Sequence, residues 1–180
     1  MRFKGWSELR ALVKVQDLVQ SMVFYMLASI AMHEGFHQAA MAMFGARGLI
    51  ELDVHWLIWT GGVTHWAKYL PASAPWYAAP FVYLSGGLLT GLMLLWAYIN
   101  EDDLEDRLAQ LLWGFTNLFY GLVEMTLAWG WIDFYYSWRG VAEALGAALG
   151  VWIWMWRDAK IFEKKRGGRG LLGEQGKDDC

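Results

Sequence analysis

From Tyr69 to Asn100 the chain runs for 32 residues without an Asp, Glu, Lys or Arg. That is more than the roughly 20 residues a helix needs to cross the hydrocarbon core of a bilayer. A second stretch, Leu18 to Ala46, carries a single charged residue, Glu34. Across the 180 residues, charge is concentrated: 24 Asp, Glu, Lys and Arg fall in residues 1–17, 100–107 and 157–180, which together make 49 positions, and the other 131 hold nine. A water-soluble domain needs a polar outer face on each element, and segments this depleted cannot supply one. An ordinary soluble enzyme is therefore excluded, and an apolar content of 57% excludes a disordered chain. Cys180 is the lone cysteine. It leaves no internal disulfide and no thiolate cluster, so a metal site here must use His, Asp or Glu. A net charge of -3 without a basic, aromatic-interleaved patch argues against a nucleic-acid partner.

Dividing the depleted regions by length predicts an all-α polytopic protein of the cell membrane, with about four transmembrane helices and a short β-hairpin between the first and second. The spans run from about Leu18 to Phe44, within Tyr69–Asn100, from about Leu108 to Ile132, and from about Gly140 to Trp156. Gly45 stops the first, and Gly86 and Gly87 allow a close helix approach in the second. Many of the 13 tryptophans fall near span ends, as an aromatic belt would place them. Residues 1–17 form an amphipathic segment without a signal-peptide cleavage site, in which Trp6, Leu9, Leu12 and Val13 share one face of an interfacial helix. Residues 18–156 are the membrane-embedded domain, and 157–180 a basic, flexible tail. Four Lys and Arg before the first span and seven in the tail favour a cytoplasmic side for both termini. Between the first two spans, Ile50, Leu52, Val54, Trp56 and Ile58 alternate with Glu51, Asp53, His55 and Leu57, and Thr60-Gly61-Gly62 is the expected hairpin turn.

The first span holds His33-Glu34-Gly35-Phe36-His37, an H-E-x-x-H motif. At about 3.6 residues per turn both histidines project from one face, so two imidazoles can bind one Zn²⁺, while Glu34 can take a proton from a water the metal activates. With four His and nine Glu in the chain, fewer than about one shuffled order in a hundred would contain this pattern. An ionisable side chain at a bilayer centre costs on the order of 3 kcal/mol, and three within five residues require compensation that a metal provides. A histidine pair satisfied by backbone carbonyls and neutralised by Glu34 is the plainer alternative. A catalytic zinc normally takes a third protein ligand. Glu124 in the third span, Asp133 near its end and Glu143 in the fourth are the candidates, with Glu124 favoured because a mid-span carboxylate is hardest to explain otherwise. Asn117 and Tyr120 share its helical face. His55 and His65 read as ordinary interfacial residues.

These residues resemble the site-2 protease family of intramembrane zinc metalloproteases. The similarity runs through HEGFHQAAMAMFGARG at 33–48, the alternating hairpin at about 50–66, YLSGGLLTG at 83–91 and NLFYGLVEM at 117–125. It covers roughly residues 18–132. The family's third helix carries N-x-x-P-x-x-P-x-D-G; this chain lacks both prolines and the Asp-Gly, and Glu124 stands seven residues beyond Asn117. The resemblance implies zinc ligands His33 and His37, a carboxylate ligand on the third helix, Glu34 as catalytic base, and Asn117 at the substrate. The expected activity is that of a zinc metalloendopeptidase hydrolysing membrane-protein or peptide substrates within the bilayer. The alternatives are a non-catalytic metal-binding or metal-transporting membrane protein, with His33, His37 and Glu124 as its site, and a scaffold that binds no metal.

Overall fold

The structure is a computed structural model that describes residues 15–46, 52–55, 59–62 and 70–174. Four α-helices account for most of them: α1 (Val15–Met43), α2 (Ala78–Asn100), α3 (Leu104–Glu124) and α4 (Ile132–Glu174). A 3₁₀ turn, Met125–Trp129, joins α3 to α4. Two helices, α1 and α2, are long and apolar enough to cross a membrane.

Local sequence sets most of the boundaries. Gly45 adopts φ +73°, and Ala46 N–H donates to the Met41 carbonyl at 3.1 Å, so a left-handed glycine closes α1 as expected. Gly130 repeats the device after the 3₁₀ turn, again at φ +73°, with Trp131 N–H reaching the Thr126 carbonyl. Glu105 and Asp106 occupy the first turn of α3, where the helix dipole favours negative charge.

Contacts between the helices fix their directions. Ser21 near the start of α1 bonds Asp106 at the start of α3, at 2.5 Å, and Gln110 one turn on donates to Tyr25 at 2.6 Å; α1 and α3 therefore run parallel. Asp158, far along α4, meets Arg107 of α3 at 2.9 Å and Tyr98 at the end of α2 at 3.3 Å, so α2 and α4 run the opposite way. The helices alternate up and down.

Glycines set how closely α2, α3 and α4 approach. A Cβ at Gly91 would stand 2.7 Å from the Gly114 carbonyl oxygen, one at Gly87 2.5 Å from Gly121 Cα, and one at Gly146 2.5 Å from the Phe115 carbonyl oxygen. Small residues at these crossings let backbones touch. Apolar clusters lie at both ends of the bundle: Ala40, Met41, Ala46, Val82 and Tyr83 at one, and Tyr98, Leu104, Leu108, Leu111 and Trp154 at the other.

Three expectations change. Two short strands, β1 (Leu52–His55) and β2 (Trp59–Gly62), pair antiparallel with Leu52 opposite Gly62 and His55 opposite Trp59. Thr60, Gly61 and Gly62 thus lie in a strand and not in the turn expected of them; glycine accepts an extended backbone as readily as a turn. Secondly, the segment assigned to a fourth span and a flexible tail is one helix through Glu174. Lys164, Lys165 and Arg166 are good helix formers, and extending an existing helix avoids the cost of nucleation. Thirdly, the span expected from Leu108 to Ile132 divides, with α3 ending at Glu124 and the 3₁₀ turn following. The expected N-terminal amphipathic helix and the hairpin residues flanking the two strands lie outside the described residues.

Candidate metal centre

The parallel course of α1 and α3 brings the H-E-x-x-H turn against the last turn of α3. His33 and His37, one turn apart, are both buried, and their rings meet edge to face with centroids 4.6 Å apart. Glu124 Oε2 lies 3.0 Å from His33 Nε2 and 3.4 Å from His37 Nε2. The three side chains can hold a metal ion, with one donor atom from each inside a 4.8 Å spread.

Their hydrogen-bond partners decide which nitrogens face inward. His37 Nδ1 lies 2.6 Å from the Val82 carbonyl oxygen on α2, which can only accept, so Nδ1 carries the hydrogen and Nε2 presents a lone pair. Asn117 Nδ2 donates to the Trp113 carbonyl at 2.8 Å, which turns its Oδ1 toward His33 Nδ1 at 3.2 Å. His33 is thereby held in the same tautomer. Both Nε2 lone pairs then converge on a carboxylate oxygen that also only accepts. A cation among three electron-pair donors packed this closely relieves their mutual repulsion. A proton on one imidazole relieves one contact, whereas a single multivalent ion serves all three. Two imidazoles, each fixed through its other nitrogen, and one carboxylate are a donor set that suits Zn²⁺ and neighbouring first-row metals.

From α2, Gly86 leaves room for the rings. A Cβ there would lie 2.6 Å from His37 Cε1 and 2.8 Å from His33 Nε2. The glycine pair was expected to serve helix packing alone; Gly87 does so, while Gly86 faces the imidazoles. Beside it, Ser85 Oγ donates to the Val82 carbonyl at 2.7 Å, tying down the turn that supplies the His37 acceptor. Tyr120 packs its ring against His33 at 5.4 Å.

The other sequence candidates separate cleanly. Asp133 is exposed at the start of α4 and Glu143 half-buried further along it, and neither belongs to the group formed by the histidines. Glu34 is buried on α1 beside His33. His65 and the side chain of His55 lie outside the described residues. Asn117, expected at the substrate, spans His33 and the α3 backbone with its amide, where it can orient an imidazole. Asn117→Ala should weaken metal binding about 10–100-fold with the helical content unchanged, measured by competition with a chromophoric chelator. Unaltered affinity would remove Asn117 from the centre.

Among the described residues a second acidic group, Glu101, Asp103 and Asp106, sits half-exposed at the start of α3; carboxylates suit a helix N-terminus without any ion. Sequence reasoning missed the Val82 carbonyl, the imidazole-facing role of Gly86, and Tyr135, whose hydroxyl is 2.5 Å from that of Tyr120. The first is a backbone atom and carries no residue signature; the other two become visible only when α2 and α4 are packed. Comparison with protein-family models, with curated proteins and with solved structures returns no match.

Proposed function

We propose that this chain is a multi-pass membrane zinc metalloprotease that hydrolyses peptide bonds of membrane-associated substrates. The convergence of His33, His37 and Glu124, with Glu34 buried next to the first, carries the reading. The distribution of polarity supports the membrane setting. Phe24 and Leu27 on α1, Leu92 and Trp96 on α2, Leu122 on α3 and Trp152 on α4 are exposed, while Glu34, His37, Gln110, Asn117 and Glu124 are buried. An apolar outside around a polar inside fits lipid rather than water, and extends the membrane reading from two helices to four.

Zn²⁺ held by His33, His37 and Glu124 would polarise the scissile carbonyl and acidify the attacking water. Glu34 accepts that water's proton as its oxygen bonds to the carbonyl carbon, and delivers the proton to the leaving amine as the C–N bond breaks. Asn117 and the Val82 carbonyl keep both imidazoles in the ligating tautomer throughout. The β1–β2 ribbon offers a place for an unwound substrate to add as a strand, which frees peptide bonds that a helix would shield.

The test uses the full chain purified in detergent. It should hold about one zinc per chain and cleave a membrane-spanning reporter. Glu34→Gln should retain the metal and cleave roughly 10²–10⁴-fold more slowly. Cleavage by this variant at the wild-type rate would sink the mechanism, and metal flux into vesicles without cleavage would assign the site to transport.

A further inference from the structure

The mechanism above leaves a tyrosine pair beside the imidazoles unused. Tyr120 stands on α3 between Asn117 and Glu124, about one turn from each and on the same face. Its ring meets His33 edge to face. Its hydroxyl lies 2.5 Å from the hydroxyl of Tyr135 on α4, which is 8% exposed. One turn further along α4, Arg139 places its guanidinium carbon 5.8 Å from the Tyr135 ring centre and 5.2 Å from that of Tyr136.

The donor inventory gives this chain a direction. Either hydroxyl can donate to the other, and the Arg139 cation beside the Tyr135 ring polarises that phenol and favours it as the donor. Tyr135 then directs its own single hydrogen to the Tyr120 oxygen. Two phenols share one hydrogen between them, which leaves the Tyr120 hydrogen turned away from the pair. Donation from a phenol polarised in this way makes the second hydroxyl a better donor in turn. Glu34, the proposed base, cannot supply a donor while ionised, and both ring Nδ1 hydrogens are taken by Asn117 and Val82. Among the described residues next to the imidazoles, the Tyr120 hydroxyl is the group placed to donate to negative charge that develops on a substrate oxygen.

We propose that Tyr120 is a hydrogen-bond donor to anionic oxygen at the metal centre, with Tyr135 and Arg139 as positioning residues that set its direction. Its part in turnover, stabilising the oxygen of the attacked carbonyl, rests on the proteolytic reading; its part in binding an anion at the metal-loaded site does not. The ligand class is a carbonyl that becomes an oxyanion, or a small anion in its place.

Two readouts on the full chain in detergent test this. In turnover, Tyr120→Phe keeps the zinc content and zinc affinity of the wild type, lowers kcat about 10²–10³-fold, and leaves KM within about twofold, as loss of one oxyanion donor does. In binding, the Co²⁺-loaded protein is titrated with azide and followed by its visible absorption bands; Tyr120→Phe binds azide about 10–100-fold more weakly than the wild type, the worth of one hydrogen bond to a charged group. Tyr135→Phe, which leaves the Tyr120 hydroxyl in place without its orienting partner, gives an intermediate azide affinity and serves if Tyr120→Phe does not fold. Equal azide affinity in wild type and variants overturns the proposal. So does a loss of metal affinity in Tyr120→Phe equal to its loss of turnover, which would make Tyr120 a support for Glu124. If no variant and no wild-type preparation cleaves peptide while azide affinity still depends on Tyr120, the proteolytic reading fails and the donor assignment stands.

Discussion

Glu124→Ala should yield a folded protein that binds no stoichiometric metal and cleaves nothing. Glu124 Oε2 is the acceptor on which both Nε2 atoms converge, at 3.0 and 3.4 Å, and its loss leaves two neutral imidazoles where a catalytic zinc normally takes three protein ligands. Removal of an outer partner such as Asn117 costs about 10–100-fold in affinity; removal of the ligand itself should exceed that. Metal content measured after purification without chelators should fall from about one ion per chain to below roughly a tenth. The fold should survive, because each imidazole keeps its Nδ1 partner. Glu124→Asp shortens the side chain by one methylene on a fixed helix and should retain part of the affinity. Full metal occupancy in Glu124→Ala would show that the carboxylate is not a ligand.

Gly86→Val should also abolish metal binding, although glycine contributes no ligand. The first atom of any side chain at that position would lie 2.6 Å from His37 Cε1 and 2.8 Å from His33 Nε2, distances that force the rings or α2 to move. Overpacking of this kind costs about 1–3 kcal/mol in stability, and the displacement falls on the donor atoms. Gly86→Ala should reduce affinity at least tenfold and Gly86→Val should leave none measurable, both read by calorimetric zinc titration. Two neighbours give the contrast. Gly87→Ala meets Gly121 Cα at 2.5 Å, so it should lower the unfolding temperature by separating α2 from α3 while perturbing the imidazoles less. Gly35→Ala meets nothing within 4 Å, and should stabilise α1 slightly, by about 0.5–1 kcal/mol, with unchanged metal binding. Wild-type zinc affinity in Gly86→Val would refute the packing of α2 over the site.

Different parts of the molecule were legible to different degrees. His33 and His37 needed one helix turn, and that turn is local. Glu124 could be favoured because a carboxylate in the middle of an apolar segment must be compensated, but seven residues of spacing from Asn117 said nothing about its approach to α1, 91 residues away in sequence. The hairpin turn was misplaced because Thr60-Gly61-Gly62 suits a turn and an extended strand alike. The basic tail looked flexible from its glycines, while its continuation of α4 depends on the helix already formed before it.

Composition and periodicity alone determined that this chain is mostly helical, with segments able to cross a membrane, and that His33, Glu34 and His37 share one stretch of the first of them. Those are properties of single segments, decided by the burial of apolar side chains and the period of a helix. Which carboxylate completes the group, which nitrogens face it, why residue 86 must lack a side chain, and how Tyr135 of α4 meets Tyr120 of α3 were decided by tertiary structure. Each depends on the distance and orientation between helices, and those are set by glycine contacts and polar pairs that no single segment contains.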